Sequence, residues 1–338
     1  MIVHPAKKST LKALVEIIAQ NVDALDAAME ERGVSAPSLD EPFAPGSDVT
    51  NGQPQLIQMA DLICRAATHL IHVVEPPKLS VLKKCSSHLI SASIRCAIDL
   101  HISEILKEAG PDGLHVTMIA EKCGVEVTKL ETVLRCLAGS WIFKEVRPNV
   151  FANSRLSSLL DKGQPVEDLR ESPENMYKMP QAAILAVMSF LADDALKSSA
   201  FLLEALTDPQ RSFSGEAKDS SFSMALNCDK SYWDFIQQPD QKARLARLGI
   251  AMDGTRMVEP PGLALTGYQW GSLPDGATVV DVGGGMGATS FRIAEAFPKL
   301  RFVVQDSLEN TEKGKKVLIR GIHDKRCSKF THLNLPAL

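Results

Sequence analysis

Residues Thr278-Val-Val-Asp-Val-Gly-Gly-Gly-Met-Gly287 join a β-branched run to a turn made almost wholly of glycine: Gly283, Gly284, Gly285 and Gly287. Only glycine lacks the Cβ that blocks left-handed dihedrals and close approach, so the run reads as a cradle in which a small molecule touches backbone. Two carboxylates flank it. Asp281 lies two residues before the first glycine, and Asp306 lies 19 residues past Gly287, where a carboxylate can accept both hydroxyls of a ribose. Gly283, Gly285 and Ala288 also satisfy the dinucleotide pattern G-x-G-x-x-G/A, so NAD is one candidate ligand. Asp281 points to another. A carboxylate at that strand tip would repel a pyrophosphate but suits the ammonium end of S-adenosyl-L-methionine, which carries no phosphate. Asp306 has a second possible role, as the N-cap of the helix that follows it.

These residues need a scaffold. Thr278–Val282 is expected to be a buried parallel strand. The helix Ala288–Ala296 follows, with Phe291, Ile293, Ala294 and Phe297 at helical spacing and Pro298 to end it. A second strand over 301–305 closes at Asp306, giving a β-turn-α-β unit. Upstream, apolar residues recur at helical spacing over 10–29, 56–74 and 81–108, the last two separated by Pro76-Pro77. The stretch 33–54 has no periodicity and reads as an exposed linker. Residues 113–152 follow a different pattern, with a short helix, a break at Gly124, a second helix and then a hairpin around Arg147-Pro-Asn149. That order is a winged helix. Its best-known use is DNA recognition, but 117–147 carries five bases against four acids, no phosphate-neutralising face. Apolar helices are expected at 179–191, 195–206 and 241–252, with Tyr232, Trp233, Phe235 and Met252 read as core.

Composition sets outer bounds. The 338 residues are 45% hydrophobic and 23% charged with a net charge of −4, which suits a globular protein of about two domains and gives no whole-chain case for nucleic acid or an anionic membrane. Seven cysteines without a C-x-x-C pair fit a reducing compartment and exclude a recognisable zinc site. His69, His72, His88 and His101 have no metal-like companions. No apolar h-region opens the chain and no apolar run reaches about 18 residues, so a cytoplasmic location is expected.

The winged helix, the run Val279-Val-Asp-Val-Gly-Gly-Gly-Met-Gly287 and the run Ala296-Phe-Pro-Lys-Leu-Arg-Phe-Val-Val-Gln-Asp306 stand in one order and spacing. Together they resemble the S-adenosylmethionine-dependent O-methyltransferases with an N-terminal winged-helix dimerisation domain, the plant caffeic-acid and flavonoid type with fungal secondary-metabolism relatives. The resemblance covers roughly 85–312. It implies methyl transfer to a hydroxyl, phenolic in class, of a small molecule by a homodimer. It also implies that Gly283, Gly284, Gly285 and Gly287 line the methionine and ribose part of S-adenosyl-L-methionine, with Asp281 at its amino end and Asp306 on the ribose hydroxyls.

The family's adenine-contacting acid and His general base lie tens of residues beyond the ribose acid, whereas 32 residues follow Asp306 here. His323-Asp324 superficially resembles the start of the family's catalytic motif, but Lys325 stands where an aromatic is expected, and no catalytic residue is assigned. The expected architecture is therefore a mainly α N-terminal region with a winged helix, followed by an incomplete, C-terminally truncated α/β Rossmann-like methyltransferase domain of two strands. Its divisions are an N-terminal helix and flexible linker (1–55), a winged-helix dimerisation domain (56–170), a helical connector and acceptor-pocket region (171–270), the start of the donor-binding domain (271–312) and a basic tail of non-family character (313–338). Two rival functions remain: a catalytically inactive dimerisation or binding chain, and an NAD-binding oxidoreductase.

Overall fold

The computed structural model describes residues 9–44, 46–50, 52–255, 259, 262–321 and 329–332. It divides into two compact units, Met1–Val258 and Glu259–Leu338.

In the first unit, α1 (Thr10–Glu31) and α2 (Pro54–Val74) pack along their lengths as a hairpin. Three helices then take the place of the single one expected over 81–108: α3 (Pro77–Ser86), α4 (His88–Asp99) and α5 (Ile102–Ala109). The breaks fall at Ser87 and at His101, which adopts φ 56°, a left-handed conformation that cannot continue a helix. Apolar periodicity persists across both breaks, which is why the pattern alone merges them.

The winged helix is present as expected. It consists of β1 (Leu114–His115), α6 (Val116–Cys123), α7 (Val127–Ala138) and the hairpin β2 (Phe143–Arg147) with β3 (Val150–Asn153), in an antiparallel sheet of order β1-β3-β2. Glu126 caps α7, its carboxylate accepting from the Thr128 and Lys129 N–H groups, and its hydrogen bonds with Thr128 and Lys129 lower its pKa to about 2. Ile98, Ile102, Ile105, Leu134, Leu137, Phe143 and Phe151 form the centre of the core. Beyond it come α8 (Val166–Glu171), α9 (Ala183–Phe190), a π-helical turn (Leu191–Ala195), and the short helices α10 (Leu196–Ser199), α11 (Leu202–Thr207), α12 (Ser221–Ala225) and α13 (Tyr232–Ile236). The last helix of the unit, α14 (Lys242–Gly254), packs against α9.

The supposedly flexible linker is fastened. Arg155 donates to Ser47 Oγ and Ser47 O, both at 2.9 Å, and lies over the Phe43 ring. Lys144 Nζ donates to Asp40 O (2.7 Å), Arg155 N to Leu39 O (2.9 Å) and Phe43 N to Ser158 Oγ (2.8 Å). Residues 39–44 and 46–47 thus form a strap over the winged helix, held by partners about a hundred positions away that no local pattern reveals.

The second unit carries α15 (Leu263–Thr266), β4 (Thr278–Val282), α16 (Ala288–Ala296), β5 (Arg301–Asp306), α17 (Leu308–Gly321) and β6 (Lys329–His332). The strands form a parallel sheet of order β4-β5-β6, with Asp306 in register with His332. Where two strands were expected, the described residues hold three, with both α17 and β6 reaching into the segment read as a tail. Lys329-Phe-Thr-His332 has too few apolar residues to announce a strand; parallel pairing with β5 makes it one. The expectation of a buried first strand also fails. Among the described residues β4 is an edge, and its Val280 and Val282 are 50% and 60% exposed. The core lies on the other side, around Ile293, Ala294, Leu300 and Phe302, with Val279, Trp270 and Phe297 against it.

Candidate functional site

At the carboxyl end of β4 the chain turns through Gly283, Gly285 and Gly287 with φ of 76°, 58° and 84°, a region that residues with a Cβ resist. Gly283 N–H and Gly284 N–H both donate to Gln305 O (2.8 and 3.3 Å), which ties the turn to β5. Gly287 N–H donates to Gly284 O (2.9 Å), and Gly287 then serves as the N-cap of α16. Nothing lies within 4 Å of the position a Cβ would take on Gly283 or Gly285, so bare backbone faces open space there. Gly284 is glycine for a different reason. A Cβ on it would fall 2.5 Å from Asp281 Cγ.

The two carboxylates meet at this turn. Asp281 packs under Gly284 and accepts a hydrogen bond from the buried Ser290 hydroxyl (2.6 Å), which joins the strand tip to α16. Asp306 Oδ2 accepts from Gly285 N–H (2.8 Å), while its Oδ1 accepts from Ser307 N–H and Asn310 Nδ2, both at 2.7 Å. All six glycine and aspartate positions singled out in the sequence therefore come together. Asp306 is not the N-cap of α17; Ser307 holds that place, its oxygens accepting from Asn310 N and Thr311 N. Both carboxylates act on the turn itself, a bracing role invisible in the motif. His323-Asp324 lies outside the described residues. Among the described residues no group of three or more His, Cys, Asp or Glu side chains could hold a metal ion.

Two polar clusters of the first unit escape a reading of the sequence. In one, Lys162 is fully buried and donates through Nζ to Ile98 O (2.7 Å) and Glu104 Oε1 (3.1 Å), with His101 Nδ1 at 3.3 Å. Burial pulls the Lys162 pKa down against the opposing pull of Glu104. Burial, then the charges of Lys162 and Arg170, lowers that of His101 to about 4. In the other, Asp193 and Asp194 of the π-helical turn are both buried and face Arg247 (3.1 and 2.9 Å), with Arg95 and Lys197 on Asp193 and Arg244 on Asp194. Several of these contacts are ion pairs at close range rather than aligned hydrogen bonds. Burial raises the Asp193 carboxyl, but Lys197, Arg247 and Arg95 together bring it below its usual value. Two acids inside an otherwise apolar helical run are the one signal available; Lys162 in its loop gives none.

A sequence model of the O-methyltransferase dimerisation domain matches residues 82–163, the winged helix and the helices before it. An O-methyltransferase of Armillaria gallica is 37% identical over 298 residues, which is 88% of this chain and 63% of that protein. The 4-O-methyltransferase 1 of Phanerochaete chrysosporium is 35% identical over 309 residues, 91% of this chain and 65% of that protein. This chain is similar to O-methyltransferases over about nine-tenths of its length and matches their dimerisation domain over residues 82–163. It spans somewhat under two thirds of the length of these two relatives. Among solved members of the fold, OxaC in complex with sinefungin and meleagrin has a TM-score of 0.56 at 16% identity, covering 95% of this chain and 72% of that one. That likeness is one of fold: a helical dimerisation region followed by a Rossmann-like sheet. No helix among the described residues is long and apolar enough to cross a membrane.

Proposed function

We propose that this protein is an S-adenosyl-L-methionine-dependent O-methyltransferase that acts as a homodimer on a hydroxyl, phenolic in class, of a small molecule. One observation carries the reading: the left-handed turn at Gly283 and Gly285 presents bare backbone to open space, with the Asp306 carboxylate at its rim. That surface fits a ligand that lies against backbone and offers hydroxyls to a carboxylate. It fits a pyrophosphate poorly, because Asp281 and Asp306 bring negative charge to both sides of the turn.

When bound, the donor supplies an electrophilic methyl that passes to the acceptor oxygen as its sulfonium becomes a thioether and the hydroxyl proton leaves to a base. This chain's own part is placement. Gly283, Gly285 and Gly287 keep the turn open, and Asp281 with Ser290 holds the strand tip against α16. Asp306 fixes Gly285 while keeping an acceptor edge for ribose hydroxyls. Holding the donor in one attitude can contribute several kcal/mol toward in-line transfer. The homodimer reading rests on the matched dimerisation domain. Its near-balanced charge over 117–147 favours packing over DNA.

Calorimetric titration of the purified chain with S-adenosylhomocysteine and, separately, with NAD tests the cofactor. Binding of the first alone is expected, and binding of NAD alone would overturn the reading. Incubation with S-adenosyl-L-methionine and a panel of phenols tests transfer. Donor binding without turnover would instead favour the non-catalytic dimerising chain.

A further inference from the structure

Asp306 ends β5, and the residues just after it decide how much of its carboxylate a ligand can reach. Ser307 caps α17, so Leu308, Glu309 and Asn310 are the first three residues of that helix. At the third position a Glu or Gln side chain commonly reaches back to accept the N–H of the cap residue. Here that N–H goes to Asp306 Oδ1 instead (2.7 Å), and the third residue is a second donor to the same oxygen, with Asn310 Nδ2 also at 2.7 Å. A carboxylate only accepts, so the Asn310 carbamoyl group must turn its nitrogen to Asp306 and its oxygen away. Chemistry fixes the orientation.

An ionised carboxylate offers about four acceptor sites on its two oxygens. Ser307 N–H and Asn310 Nδ2 fill both sites of Oδ1, and Gly285 N–H fills one site of Oδ2 at 2.8 Å. One site is left, on Oδ2. A ribose presents two neighbouring hydroxyls, and this carboxylate has room for one. We infer that Asn310 is a positioning residue of the donor site: by occupying Oδ1 it makes Asp306 the reader of a single ribose hydroxyl, so that the two hydroxyls of the donor contribute unequally to binding. Asn310 is itself half-buried and acts through Asp306, with no contact to the donor required. The inference rests on the S-adenosyl-L-methionine reading and deepens it, because it states which donor analogues the turn accepts: those that lack the hydroxyl not held by Oδ2.

Calorimetric titration of the purified chain with S-adenosylhomocysteine and with its 2′-deoxy and 3′-deoxy analogues tests this. One analogue should bind about tenfold or more weaker than the parent, the loss expected for a hydrogen bond to a charged group, and the other within about threefold of it. Asn310→Ala opens a site on Oδ1 and keeps a good helix former. In that variant both hydroxyls find an acceptor, so the gap between the two analogues should close to under about threefold. Equal losses for the two analogues in the wild-type chain would overturn the inference and leave the donor reading standing. So would an Asn310→Ala chain that binds all three ligands more weakly by one common factor, which is the mark of a contact that only supports the turn. A wild-type chain that binds none of the three would sink the donor reading and the inference together.

Discussion

The helical unit encloses its charges, and the α/β unit places its charges at a rim. Lys162, Glu104, Asp193 and Asp194 are all at least nine-tenths buried, each facing groups of the same unit. Asp281 and Asp306 instead remain partly open, beside a turn whose backbone at Gly283 and Gly285 has nothing in front of it. Enclosed charge fixes how helices pack, since a charge taken from water is tolerated only with its partner in place. Charge at a rim braces a loop and still has acceptor capacity for a ligand. The difference separates the part of the molecule that defines a shape from the part that would bind.

The sharpest way to break that contrast is to open an enclosed pair. Lys162→Met leaves Glu104 buried without its cation, and one Glu104 oxygen already lacks a hydrogen-bond partner. A loss of about 3–5 kcal/mol in urea unfolding is expected. Adding Glu104→Gln should restore much of it. If the single variant loses under about 1 kcal/mol, the cluster does not organise the core.

A smaller effect comes from His101 in the same cluster. Its folded pKa of about 4 lies below the ordinary value of 6.5, so the unfolded chain takes up the proton first as pH falls. The contribution is therefore fully present above about pH 6.5 and is lost progressively as pH drops toward 4, by roughly 2–3 kcal/mol. His101→Asn keeps a residue that tolerates φ 56° and removes the titration. Its stability should be flatter than wild type between pH 6.5 and 4; an unchanged slope would assign the acid sensitivity elsewhere.

At the rim, stability should change little and ligand binding much. Gly283→Ala puts a methyl into the open space the donor would occupy, at a φ that alanine resists, and should weaken S-adenosylhomocysteine binding about tenfold or more for about 1 kcal/mol of stability. Asp306→Ala frees Gly285 N–H and should act similarly, through both the lost brace and the lost acceptor. Calorimetry with near-wild-type affinity in both would detach the turn from donor binding.

What can be read from sequence follows the same division. The glycine turn, Asp281 and Asp306 are legible because left-handed backbone demands glycine and the strand, turn and helix are local. The winged helix is legible because Gly124 and Arg147-Pro-Asn149 punctuate it. The enclosed clusters are not: Lys162 reaches Glu104 and Ile98 across about sixty positions, and Arg247 reaches Asp193 across 54. The exposed face of β4 is hidden as well. A Val-rich run reads as buried, and whether a neighbouring strand covers it is a property of the sheet.

The strap at residues 39–44 and 46–47 lies between these cases, for its composition reads as free chain and it is held by contacts that are mostly half-buried. Arg155 makes two hydrogen bonds to Ser47 and a stacking contact with Phe43, while the remaining bonds come from Lys144, Ser158 and the backbone of Arg155. Partly solvated contacts of this kind contribute little one at a time, so Arg155→Ala should cost only about 1 kcal/mol in global stability. Its local effect should be larger. Amides of the strap should exchange faster by several-fold while those of the β2–β3 hairpin keep their protection, because the strap opens without the core beneath it. Equal loosening of strap and hairpin would show instead that the strap is part of the enclosed core.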